Sequence, residues 1–141
     1  VAGGSVGRFA TGWRRLSLMT RAILIVDHGS RRAAANAMLE RVAELVRQRS
    51  PDVHVEVAHM ELAEPTIAQG VVACVAAGAD EVIVHPYMLG PGRHCTEDIP
   101  RLVAEAASAH QGVRFAVTEP LGVHDLIADV IVERVREVTE G

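Results

Sequence analysis

Lysine is missing from the 141-residue chain, whose 14 basic residues are all arginine. Schiff-base chemistry and the lysine-dependent phosphate loop are excluded with it. Aromatic residues make up 3% of the sequence, too few for a base-stacking platform. A formal net charge of −4 is not the basic footprint of a nucleic-acid binder. No apolar run reaches the ~18–20 residues of a membrane span. The two cysteines, Cys74 and Cys95, form no CxxC pair. A disulfide framework is therefore not expected, and a reducing cytoplasm is the expected setting. What is present, 49% hydrophobic and 23% charged residues, suits one soluble domain with a real core; the length is too short for two.

The first 21 residues carry Arg8, Arg14, Arg15 and Arg21 and no acidic residue. Such a composition fits a transit peptide. A secretory signal needs a continuous apolar stretch, which residues 7–18 do not supply. A third description fits best: Met19 is the start, because MTRAILIV runs directly into a strand, and the preceding residues are an upstream extension. Residues 1–20 are accordingly expected to be a disordered extension, and residues 21–141 the folded domain.

Strand and helix patterns alternate through that domain. Residues 22–26 (AILIV) and 82–84 (VIV) are continuously apolar, as in strands buried on both faces. Residues 53–57 (VHVEV) and 113–117 (VRFAV) alternate, as in half-exposed strands. Helical stripes run through 33–49, with Met38, Val42, Leu45 and Val46, and through 98–109, with Ile99, Leu102, Val103 and Ala106. Two more cover 65–77, with Pro65 in the first turn and Gly78 at the end, and 125–138, with Ile127, Ile131, Val135 and Val138. Alternation of this kind predicts parallel βαβ units. The apolar strands belong at the centre and the alternating ones at the edges. The fold class is thus α/β, a single three-layer domain whose four-stranded parallel sheet has the order 2-1-3-4, with helices on both faces. Ligands of such sheets bind where the chain leaves the two central strands in opposite directions.

The loops at that point are rich in candidates. After the first strand stands Asp27-His28-Gly29-Ser30-Arg31-Arg32. After the third comes His85-Pro86-Tyr87 and then Gly90-Pro91-Gly92-Arg93-His94-Cys95. After the second lies His59-Met60-Glu61. Five of the seven histidines (28, 59, 85, 94 and 124) fall near strand ends or in connecting loops. His28 precedes a glycine that lets backbone or ligand approach closely, and function outweighs a histidine satisfied by a carbonyl. His94 is a site residue or a capping histidine, and His85 a ligand or a packed side chain. Glu61 is a base, a metal ligand or a solvated charge, on the same side as His59 if the strand continues that far. Glu64, Glu97 and Asp98 read as helix-start charges. Cys74 belongs to the core and Cys95 is packed. Arg31, Arg32 and Arg93 bring local positive charge suited to a carboxylate- or phosphate-bearing ligand. His28-x-Ser30 lacks a GxSxG elbow, and there is no HExxH. Metal chemistry at an open site fits these residues better than nucleophilic catalysis, since imidazole suits divalent Co, Fe, Ni and Zn.

The segments ILIVDHGSR (23–31), AHMELAEPTI (58–67), Gly78-Ala79 and HPYMLGPGRHCTEDIP (85–100), in that order, closely resemble the sirohydrochlorin chelatases. These are the short cobaltochelatases of cobalamin synthesis and the ferrochelatases of siroheme synthesis. The resemblance covers residues 20–138. It implies insertion of a divalent metal, Co2+ or Fe2+ with Ni2+ a smaller candidate, into sirohydrochlorin, a tetrapyrrole carrying eight carboxylates. His28, His94 and Glu61 match the family's metal-handling and proton-accepting residues. Arg31 and Arg93 become candidates for the substrate carboxylates, with Ser30, Tyr87 and His85 beside them. The resemblance also implies a homodimer and the metal as substrate with no permanently bound cofactor. Charge, aromatic content and the lack of a long apolar run leave neither nucleic-acid nor membrane partners expected. The family usually has an apolar residue before Pro86; His85 in its place adds a metal-handling group or alters packing. No cysteine-rich tail follows, so an iron–sulfur cluster is not expected. Two other classes compete: a non-catalytic metal or tetrapyrrole carrier, and a flavodoxin-like phosphate-binding module. The absence of a lysine phosphate loop and of GxGxxG weighs against the second.

Overall fold

The computed structural model describes residues 20–141. The expected extension up to residue 19, with its start at Met19, lies outside the described residues. Thr20, grouped above with that extension, is bonded to the domain: its carbonyl accepts the Asp80 amide at 2.8 Å and the Glu81 amide at 3.1 Å.

Four strands, β1 (Arg21–Asp27), β2 (His54–His59), β3 (Glu81–Pro86) and β4 (Arg114–Val117), alternate with helices α1 (Ala33–Arg49), α2 (Ile67–Ala76), α3 (Ile99–Ala107) and α4 (Asp125–Thr139). All pairs are parallel, in the order β2-β1-β3-β4, as the apolar patterns predict. Leu24, Val26, Val82 and Val84 of the central strands are fully buried under α2 and α3, with Val71, Cys74 and Ile99. On the opposite face Ile25, Val55 and Val57 pack against Leu39 and Ala43 of α1. Burying a Leu or Val side chain contributes roughly 1.5–3 kcal/mol, so the central pair anchors both layers. Gly70 lets α2 lie close on the sheet, because a Cβ there would stand 2.6 Å from Leu24 Cδ1.

Three local expectations change. α2 starts at Ile67, with Pro65 outside it. Thr66 is its N-cap: its hydroxyl accepts the Gln69 amide while Gln69 accepts the Thr66 amide, a reciprocal capping box. The third helix starts earlier than residue 98, because a π-helical turn, His94–Asp98, leads into α3. The stripe on α4 forms as expected, yet no α4 residue is buried, so Val130, Ile131, Val135 and Val138 all face outward.

Candidate functional site

β1 and β2 end in register, Asp27 beside His59, and β3 runs alongside, Pro86 beside Val26. The three following segments therefore open at one end of the sheet. There the structure brings His28 and His94 together. Their rings meet edge to face, with centroids 4.6 Å apart and planes at 90°. His28 is exposed, and the His94 side chain is 45% exposed, so both are open to a ligand.

Each histidine is held by its own local device. His94 opens the π-helical turn, closed by the Ile99 amide donating to the His94 carbonyl. Such turns are rare and recur at functional sites. Four residues on, Asp98 Oδ2 lies 2.9 Å from His94 Nδ1. A carboxylate accepts, so it favours the proton on Nδ1 and leaves Nε2 of the neutral ring with the lone pair a metal needs. Asp98, read from sequence as a helix-start charge, is therefore a partner of the site. The signal available was its i,i+4 spacing from His94, readable only if the helix begins before residue 98.

His28 sits in a turn clamped to the segment after β2. The Met60 amide donates to the Asp27 carbonyl at 2.9 Å and the Glu61 amide to the His28 carbonyl at 3.1 Å. Gly29 has φ +87°, and a Cβ on it would collide with the Glu61 carbonyl oxygen. The position requires glycine twice over. Glu61 thus shares a backbone clamp with His28, while its side chain is exposed. Ser30 serves the turn: its Oγ accepts the Arg32 amide at 3.0 Å. Asn36, which the sequence patterns did not single out, accepts the Ser30 amide at 2.9 Å and donates to the Ser30 carbonyl at 2.7 Å.

The remaining candidates are placed differently. His85 is half-buried on β3, its Nδ1 2.7 Å from Thr118 Oγ1. The Thr118 hydroxyl donates to the Glu119 carbonyl, so His85 is the donor. Burial lowers its pKa below the usual histidine value. Tyr87 is half-buried against the core beneath α1. Arg31 and Arg32 are exposed, and Arg93 pairs loosely with Glu97 at 3.4 Å, both well solvated. Cys95 is buried, its thiol 3.2 Å from Met88 Sδ. Burial, aided by the Glu56 charge, pushes the Cys74 thiol up to about 12, consistent with an inert core side chain. Among the described residues no three His, Cys, Asp or Glu side chains converge as a metal cage. No helix among them is long and apolar enough to cross a membrane.

The CbiX family model matches residues 22–138. Over 114 residues the chain is 46% identical to the chloroplastic sirohydrochlorin ferrochelatase of Arabidopsis thaliana, covering 81% of this chain and 51% of that protein. It is 33% identical over 137 residues to the sirohydrochlorin cobaltochelatase of Methanocaldococcus jannaschii, covering 80% of this chain and 96% of that one. The structure of SirB from Bacillus subtilis with Fe3+ matches with a TM-score of 0.79 at 32% identity, over 85% of this chain and 48% of that one. The chain therefore spans about half the length of the Arabidopsis and Bacillus relatives and nearly all of the Methanocaldococcus one.

Proposed function

The chain belongs to the CbiX family, the sirohydrochlorin chelatases, and from that premise we propose that it is a lyase inserting Co2+ or Fe2+ into sirohydrochlorin. The observation that carries this reading is the facing pair His28 and His94, delivered by two loops far apart in sequence to one end of the sheet. Insertion exchanges one divalent ion for two pyrrole protons, so the site must both hold a metal loosely and accept protons. Imidazole does both near neutral pH. In this reading the two rings take the incoming ion, with Asp98 fixing the His94 ring, and Glu61 helps to carry the released protons away. Arg31 and Arg93 are free enough to meet the substrate carboxylates as bidentate partners, with Ser30, Tyr87 and His85 in supporting positions.

The same reading includes a homodimer. The chain is about half the length of the longer relatives, and the outward apolar face of α4 is one a second copy would cover. The free, buried thiols of Cys74 and Cys95 suit a reducing, cytoplasmic setting.

Anaerobic absorbance of sirohydrochlorin with Co2+, then Fe2+, against a control without protein tests the activity. Conversion with many turnovers, abolished by His28→Ala and by His94→Ala, is the expected result. Binding at one equivalent without turnover identifies a carrier instead, and no interaction at all overturns the assignment.

A further inference from the structure

His59 is 3% exposed, the last residue of β2, and nothing in the metal-insertion scheme uses it. Its Nδ1 lies 2.6 Å from Asp27 Oδ1, and that same oxygen accepts the Gly29 amide at 3.0 Å. The carboxylate is the acceptor, so His59 donates from Nδ1. A buried imidazole N–H needs an acceptor wherever it lies; what matters is where this one is found. Here its hydrogen bond is directed at the residue before His28, and the second donor to that carboxylate is the amide after His28. Replacing the pair by apolar side chains would leave the Gly29 N–H without this acceptor, a cost greater than that of one lost bond. The turn bearing His28 is therefore fixed to the segment bearing Glu61 through both backbone and side chain. The backbone part is the Met60–Asp27 and Glu61–His28 bonds and the close seat of Gly29 on Glu61.

We propose that His59 and Asp27 are a positioning pair that sets His28 against Glu61 and thereby the affinity of the site for its divalent metal substrate. The proposal rests on the chelatase reading of that site. Both side chains act through His28 rather than on the tetrapyrrole. Partners behind a metal-binding histidine typically change metal affinity or activity by about 10–100-fold when removed.

Three replacements of His59 test it. Asn places an amide nitrogen where Nδ1 stands, Gln places it one bond farther out, and Phe keeps the ring without the donor. The readouts are calorimetric titration with Co2+ alone, the KM for Co2+ and for sirohydrochlorin separately, and thermal stability. Expected results are that His59→Asn stays near the wild type, while His59→Gln and His59→Phe weaken Co2+ binding and raise the metal KM by about 10–100-fold. The KM for sirohydrochlorin should hold steady, and the Asn and Gln variants should melt at similar temperatures. Equal Co2+ affinity in the Asn and Gln variants overturns the proposal, as does wild-type affinity in the Phe variant. If the Phe variant does not fold, the Asn–Gln comparison decides. A wild type that binds Co2+ but never inserts it overturns the chelatase reading and leaves that comparison standing. A wild type that does not bind Co2+ overturns both.

Discussion

Asp98 lies between His94 Nδ1, at 2.9 Å, and the Arg101 guanidinium, at 3.9 Å. It therefore has one partner inside the site and one on the helix behind it. Removing the carboxylate frees the ring to rotate and to exchange tautomers. Asp98→Ala is expected to lower kcat/KM for metal insertion by about 10–100-fold, and Asp98→Asn, which still offers an oxygen, by less; steady-state kinetics on both variants check this. His28 was legible as a candidate because a strand end followed by histidine and glycine has few structural uses, and His94 because it closes a Gly-Pro-Gly-Arg loop after the other central strand. Asp98 and Asn36 were not, since their roles depend on which neighbour the backbone brings near. His85 reads from sequence as either a ligand or a packed side chain. Its place before Pro86 drew attention, but its ring is engaged by Thr118 and half-buried.

The element scale was the most readable. The continuously apolar runs 22–26 of β1 and 82–84 of β3 belong on central strands covered on both faces, and the alternating β2 and β4 followed as edges. Helix starts were less readable. Pro65 is a familiar first-turn residue, and it hid the Thr66-x-x-Gln69 pattern that caps α2. Gly90-Pro91-Gly92 likewise disguised the π-helical turn, since glycine and proline ordinarily mark loops. The cap gives a simple prediction. Thr66→Ala is expected to lower unfolding free energy by about 1 kcal/mol in chemical denaturation, with metal insertion intact, because the Thr66 and Gln69 side chains bond within the cap and to Glu64, not to His28 or His94.

At the scale of the whole molecule, α4 is the element whose apolar face finds no cover within the described residues. Periodicity announced the stripe and said nothing of what it packs on, because the same pattern serves a core and an interface. A dimeric mass in light scattering is the expected state, and Ile131→Asp together with Val135→Arg is expected to shift it to monomer. A wild type of monomeric mass would count against the second copy as the cover. The parallel pairing of β1 with β3 has one further consequence, for the time course of synthesis. His28 leaves the ribosome early, but the imidazole it faces is encoded far downstream, and the two meet only once the crossover through α1, β2 and α2 is complete. Contacts of such long sequence separation form late and slowly. The nascent chain therefore has no facing histidines, and the pair arrives together with the finished fold.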